Sequence, residues 1–171
     1  AIALIFTRNY SIYEKQVRSK IDSNAHKGDF FVDILSAIRV SELVGQLRKV
    51  RLIPEDMTLN EFRKIFSSSD QQYFPVADGE QRMTGIFSIN DIRGVIFDDE
   101  IGELVRMKDV ANSDIIYTTP SEDLNEVFKK CTIRNLHRVP VVRDDDHSVL
   151  MGMLDRREMI DFYNRRVREI K

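Results

Sequence analysis

"GIFSIND" at Gly85 to Asp91 and "GMLDRRE" at Gly152 to Glu158 share one shape: a glycine, two apolar residues, a polar residue, two variable positions and an acid. The first puts Ser88 and Asp91 at the polar positions, and the second puts Asp155 and Glu158 there. Three further blocks recur ahead of them in the same order. "IRVSELV" at Ile38 to Val44 matches "VRMKDVA" at Val105 to Ala111, and "IPEDMTLNEF" at Ile53 to Phe62 matches "TPSEDLNEVF" at Thr119 to Phe128. "YFPVAD" at Tyr73 to Asp78 matches "RVPVVR" at Arg138 to Arg143. The offsets stay between 65 and 67 residues. Four ordered matches identify a duplicated small domain, and two long copies do not make a solenoid array.

Each copy reads as strand, helix, strand, strand, helix. In the first, Val50 to Ile53 forms a short strand closed by Pro54. Thr58 and Glu61 have the spacing of a capping box, and Leu59, Phe62, Ile65 and Phe66 share one helical face. Phe74 to Ala77 and Met83 to Ile89 are strands joined by the "DGE" turn at Asp78 to Glu80. Asn90 suits the cap of a helix running to about Phe97, and the second copy ends in a longer helix from about Arg156. The expected organisation is an N-terminal helical segment and linker over 1–37, a first repeat over 38–104 and a second over 105–171.

Composition sets the outer bounds. The chain has 171 residues, of which 42% are apolar and 32% charged, so a folded body is expected rather than disorder. A net charge of -2 supplies no global attraction to nucleic acid or to an anionic membrane. Cys131 is the single cysteine, which excludes an internal disulfide. It follows the helical pattern Leu124, Val127, Phe128, so it reads as a buried thiol rather than a nucleophile. The three histidines, His26, His137 and His147, form no metal motif, and neither a phosphate-cradling glycine loop nor a nucleophile–base spacing is present. No enzyme, and no metal, is expected.

The paired hydrophobic-Pro-Val strands and Gly-hydrophobic-hydrophobic-Ser-x-x-Asp turn resemble a tandem pair of CBS domains, a Bateman module, from Ile38 to about Tyr163. The resemblance implies an α+β fold (α/β) of two CBS repeats, β-α-β-β-α each, packed with pseudo-twofold symmetry. It also implies a homodimer, with clefts between the repeats that bind adenine nucleotides such as ATP, ADP or AMP.

The chemistry suits these residues on independent grounds. A carboxylate accepts hydrogen bonds from both hydroxyls of a ribose, and a small hydroxyl nearby reaches sugar or phosphate oxygen. Ser88 and Asp91 are therefore the candidate ribose pair, set against the plainer reading that they only start a helix. By the resemblance, Thr118 and Thr119 stand where base or phosphate is contacted, with Leu52 and Ile53 as their first-copy counterparts. His137 and Arg138 stand where a basic pair faces phosphate, and Tyr73 holds the Arg138 position and offers a stacking face. In the second copy Glu158 retains a carboxylate for ribose, but Asp155 would repel a phosphate. The basic pair sits in one copy and the intact ribose pair in the other, so either one mixed cleft works or both are weak.

The segment "RNYSIYEKQVRSKIDSNAHKGDFFVDIL" at Arg8 to Leu35 resembles the junction after the last membrane helix of prokaryotic CLC-family chloride channels and chloride/proton antiporters. That resemblance makes "AIALIF" at Ala1 to Phe6 the end of a membrane helix, too short to span by itself. It aligns Tyr13 best, with Tyr10 as a near competitor, with the family's chloride-binding tyrosine. The implied protein is a regulatory domain on the cytoplasmic face of the cell membrane, partnered by the membrane domain of its own chain. The rival expectation is a ligand-free CBS pair that serves as a structural dimerisation module.

Overall fold

A computed structural model of the chain describes residues 27–170. The chain divides into two compact units, residues 1–33 and 34–171. Of the first unit, only the opening of helix α1 (Lys27–Ala37) is described. The expected helix over Ala1 to Lys20, "AIALIF", Tyr10 and Tyr13 lie outside the described residues. A helix was expected from Phe30 to Ser36, and α1 extends that by a few residues at its start.

The second unit contains both repeats. The first builds a three-stranded sheet from β1 (Ile53–Pro54), β2 (Tyr73–Ala77) and β3 (Met83–Ser88), with β1 parallel to β2 and β2 antiparallel to β3. Pro54 lies inside β1 rather than closing it. Helix α2 (Leu59–Phe66) covers this sheet, and its start is the expected capping box. The Glu61 N–H donates to Thr58 Oγ1 at 3.2 Å and the Thr58 N–H donates to Glu61 Oε2 at 2.8 Å. Phe62, Phe74 and Phe87 meet beneath α2, where apolar faces with periods of 3.6 and 2 converge.

The second repeat pairs β4 (Arg138–Val142) antiparallel with β5 (Leu150–Asp155). The counterpart of β1 shrinks to a single parallel bridge between Thr118 and Val141. Helix α5 (Leu124–Ile133) covers the sheet, capped by Asp123, whose carboxylate accepts from the Glu126 N–H at 3.0 Å. Helix α6 (Arg156–Ile170) closes the chain as expected.

After β3 the chain departs from expectation. Helix α3 spans only Ile89–Ile92, its N-cap is Ser88 rather than Asn90, and turns replace helix over 93–97. Gly94 lies in that stretch and weakens helix propagation.

The repeats are not packed as two separate blocks. The segment that opens each one crosses to the other's sheet. Val40 and Ser41 N–H groups donate to Glu122 and Pro120 carbonyls, both at 2.9 Å. At the equivalent place Met107 and Lys108, in helix α4 (Met107–Val110), donate to Met57 and Glu55 carbonyls, both at 3.0 Å. Two bridges complete the exchange, Arg48 with Met153 and Asn112 with Ile86.

This crossing explains the glycine that opens each quoted stretch. A Cβ on Gly85 would lie 2.7 Å from the Ala111 Cβ. A Cβ on Gly152 would lie 2.9 Å from the Leu47 Cβ and 3.0 Å from the Arg48 carbonyl oxygen. Each glycine makes room for the other repeat's opening segment.

Candidate functional site

Tyr73 on β2 faces Ser88 on β3 as a cross-strand pair. Three residues later the chain has turned, and Asp91 comes back over Ser88. One carboxylate oxygen of Asp91 accepts the Ser88 N–H at 2.6 Å and the Ser88 hydroxyl at 2.8 Å. Its other oxygen accepts no hydrogen bond from the described residues, so it retains acceptor capacity on an exposed group.

Tyr73, Ser88 and Asp91 line a cavity of about 260 Å³ together with Arg138 of the second repeat. Asn112 and Asp114 complete its polar wall. They arrive on the second repeat's opening segment, held by the Asn112–Ile86 bridge. A volume near the low end of ligand cavities suits a nucleoside-sized group, with larger parts extending outward.

The second copy differs in charge. Arg138 on β4 faces Asp155 on β5, the place that Tyr73 and Ser88 hold in the first copy. Arg138 Nε donates to Asp155 Oδ2 at 3.0 Å, with side chains 15% and 23% exposed. The Arg157 N–H donates to the other carboxylate oxygen at 2.9 Å, and the Asp155 N–H donates to Glu158 Oε2 at 3.2 Å. Burial works to raise the Asp155 carboxyl, but the Arg157 N–H, the Arg138 hydrogen bond and the charges of Arg138 and Arg48 outweigh it. The net shift is below the ordinary carboxylate value.

His137, Arg138 and Glu158 line a second cavity of about 350 Å³ with Arg48, Asp155 and Arg157. A third, of about 410 Å³, lies against Tyr73, Ser88, Asn90 and His137. Arg138 is common to the first two cavities, and Tyr73 with Ser88 to the first and third. The ribose pair of one repeat and the basic pair of the other therefore adjoin.

The threonines lie elsewhere. Thr118 is fully buried and donates to Glu122 Oε2 at 3.1 Å. Thr119 bonds Ser121 and lines a separate trough of about 850 Å³ with Tyr117, Lys130 and His147. Their counterparts also shift by one residue. Thr118 pairs with Val141 as Ile53 pairs with Val76, so Thr118 stands at Ile53 and Thr119 at Pro54, not at Leu52 and Ile53. Ile53 is fully buried in the first repeat's core and lines none of these cavities.

Arg48, Asn112 and Asp114 were not among the sequence candidates. They lie just beyond the matched opening blocks, which end at Val44 and Ala111, and nothing local tells which sheet an opening segment will join. Cys131 is buried and free, and burial pushes its thiol up against the nearby charge of Arg156, which suits packing. Among the described residues no cluster of three His, Cys, Asp or Glu could hold a metal ion. Among the same residues no helix is long and apolar enough to cross a membrane.

Comparison with known proteins agrees with this architecture. An inosine-5'-monophosphate dehydrogenase of Halobacterium salinarum is 27% identical over 124 residues, covering 70% of this chain and 24% of that protein. The chain thus spans about a quarter of the length of that curated relative. The CBS domain of a CBS-domain-containing membrane protein from Sphaerobacter thermophilus superposes with a TM-score of 0.60 at 18% identity, over 80% of this chain and 94% of that one. CBSX2 in complex with AMP superposes with a TM-score of 0.62 at 15% identity, over 75% of this chain and 97% of that one. Residues 40–98 and 107–165 each match the CBS domain, and the chain belongs to the CBS-domain family as a tandem pair.

Proposed function

We propose that this chain is the cytoplasmic regulatory domain of a CLC-type chloride channel or chloride/proton antiporter, and that it senses an adenine nucleotide between its two repeats. The observation that carries the ligand is the convergence of Tyr73, Ser88 and Asp91 from one repeat with Asn112 and Arg138 from the other around one cavity. The ribose hydroxyls would bind the open oxygen of Asp91, the base would lie against Tyr73, and phosphate would extend toward Arg138 and His137. AMP bound to the similar fold of CBSX2 supports the ligand class. The chloride assignment rests on the resemblance of Arg8 to Leu35, with Tyr13 in the membrane helix it implies.

In this reading the module acts by binding, without catalysis. It dimerises, and nucleotide biases the membrane domain only through a difference in affinity between two arrangements of the module. Calorimetric titration with ATP, ADP and AMP tests the sensor, and no heat and no thermal shift at millimolar nucleotide would end it. An upstream coding sequence without a series of apolar spans would end the chloride-transport reading.

One observation favours a second reading, a ligand-free structural dimerisation module. Ser88 bonds Asp91 and Arg138 bonds Asp155, so much of the polar apparatus is satisfied internally. Retained dimerisation in a protein that ignores nucleotide would select it.

A further inference from the structure

We propose that Asp155 selects among adenine nucleotides, favouring AMP over ATP by holding Arg138 as its own counter-ion. The inference rests on the adenine-nucleotide reading above. Arg138 and Asp155 are directly opposed on β4 and β5, and the Arg157 N–H fixes the carboxylate from its other side. The equivalent first-repeat position holds the neutral Ser88. One copy therefore presents a hydroxyl where the other presents a half-buried negative charge.

The distribution of charge gives this difference its effect. The cavity around Ser88 contains the acids Asp91 and Asp114, with Arg138 as the cation on its wall. A ribose held on Asp91 sends its phosphates away from these acids and toward Arg138. The adjoining cavity supplies Arg48, Arg138 and Arg157, opposed by Asp155 and Glu158. Each phosphate beyond the first brings more negative charge to a place where Asp155 already neutralises the shared arginine. Repulsion grows with the product of the charges, so the Asp155 carboxylate opposes ATP more than AMP and offsets part of the attraction of Arg48 and Arg157.

Asp155→Ser installs the first-repeat residue and keeps a side chain able to accept the Arg157 N–H, as does Asp155→Asn. Calorimetry with AMP and ATP is run on the 171-residue protein, on each single variant, and on Asp155→Ser combined with Arg138→Gln. In wild type the affinity for ATP relative to AMP is expected to be several-fold to about tenfold lower than in either single variant. Both single variants should tighten ATP about tenfold while changing AMP by less than about threefold, and Arg138→Gln should remove the gain. Nucleotide binding with the same ATP-to-AMP ratio in wild type and both folded single variants overturns the role of Asp155 alone. No binding of either nucleotide to any of the four proteins overturns the nucleotide reading, and this inference with it.

Discussion

The two repeats build one backbone twice and fill it differently. Counted from the helix caps Thr58 and Asp123, Phe62 and Phe66 stand at Val127 and Cys131, one residue from the block match that put Phe62 on Phe128. Strand register puts Phe74 and Phe87 at Val139 and Leu154. Phe62 stands edge-on to Phe74, with ring centroids 4.9 Å apart, and to Phe87 at 5.2 Å. Such aromatic pairs add about 0.5–1.5 kcal/mol beyond burial. In the second repeat the matching places hold the buried aliphatic side chains of Val127, Val139 and Leu154 and the buried thiol of Cys131. In the cores, duplication was followed by exchanges of volume, which leave the fold intact. At the turns it was followed by an exchange of charge, from Ser88 and Asp91 to Asp155 and Glu158. The first kind of difference alters stability, and the second alters what can bind.

The largest effect separates the cores. Phe62→Ala should lower unfolding free energy by about 3–5 kcal/mol and Val127→Ala by about 2 kcal/mol in urea titration. Equal losses would mean the aromatic cluster adds nothing to stability over the aliphatic core of the second repeat. Next come the turns. Asp91→Ala should weaken nucleotide binding by about 1.5–3 kcal/mol, and Glu158→Ala by clearly less, because only Asp91 lines the cavity shared with Tyr73 and Ser88. Equal losses in calorimetry would place the ribose in the other cleft.

Gly85→Ala and Gly152→Ala test what the repeats have in common. Each should destabilise by about 1–3 kcal/mol, since each added methyl meets the other repeat's opening segment. A loss at only one of them would break the symmetry of the crossing. The smallest effect is acid dependence. Asp155 titrates below its ordinary value of 3.8, so its contribution is present above that pH and is lost as pH falls through the lower folded value. The stability gap between wild type and Asp155→Asn should therefore close in denaturation series run below about pH 4, and a gap that stays constant would mean that the Asp155 carboxylate is not stabilised by the Arg157 N–H and Arg138.

How much of this was legible depended on how far along the chain the partners lie. Thr58 and Glu61 are three residues apart, so their capping box was readable and formed as expected. The strand from Phe74 to Ala77 and its second-copy counterpart were readable from apolar runs bounded by turns, and the structure begins them at Tyr73 and Arg138. The Thr118 register was not. Pro54 and Pro120 invite an alignment one residue away from the one that strand pairing with Val141 enforces. Arg138 was legible as a basic group before a strand, but its capture by Asp155 was not, because that pairing depends on the register of β4 against β5.

The sequence alone determined that there are two repeats, where their hairpin strands and covering helices fall, and which turn kept its Ser–Asp pair. These are patterns of spacing, and periods of 2 and 3.6 and capping offsets act within a few residues. Tertiary structure alone decided that each opening segment joins the other repeat's sheet, that Asn112 and Asp114 thereby line one cavity with Asp91, and that Arg138 borders two cavities while tied to Asp155. Those outcomes depend on hydrogen bonds and charges between residues far apart in the chain. Their partners are chosen only when whole sheets and helices pack.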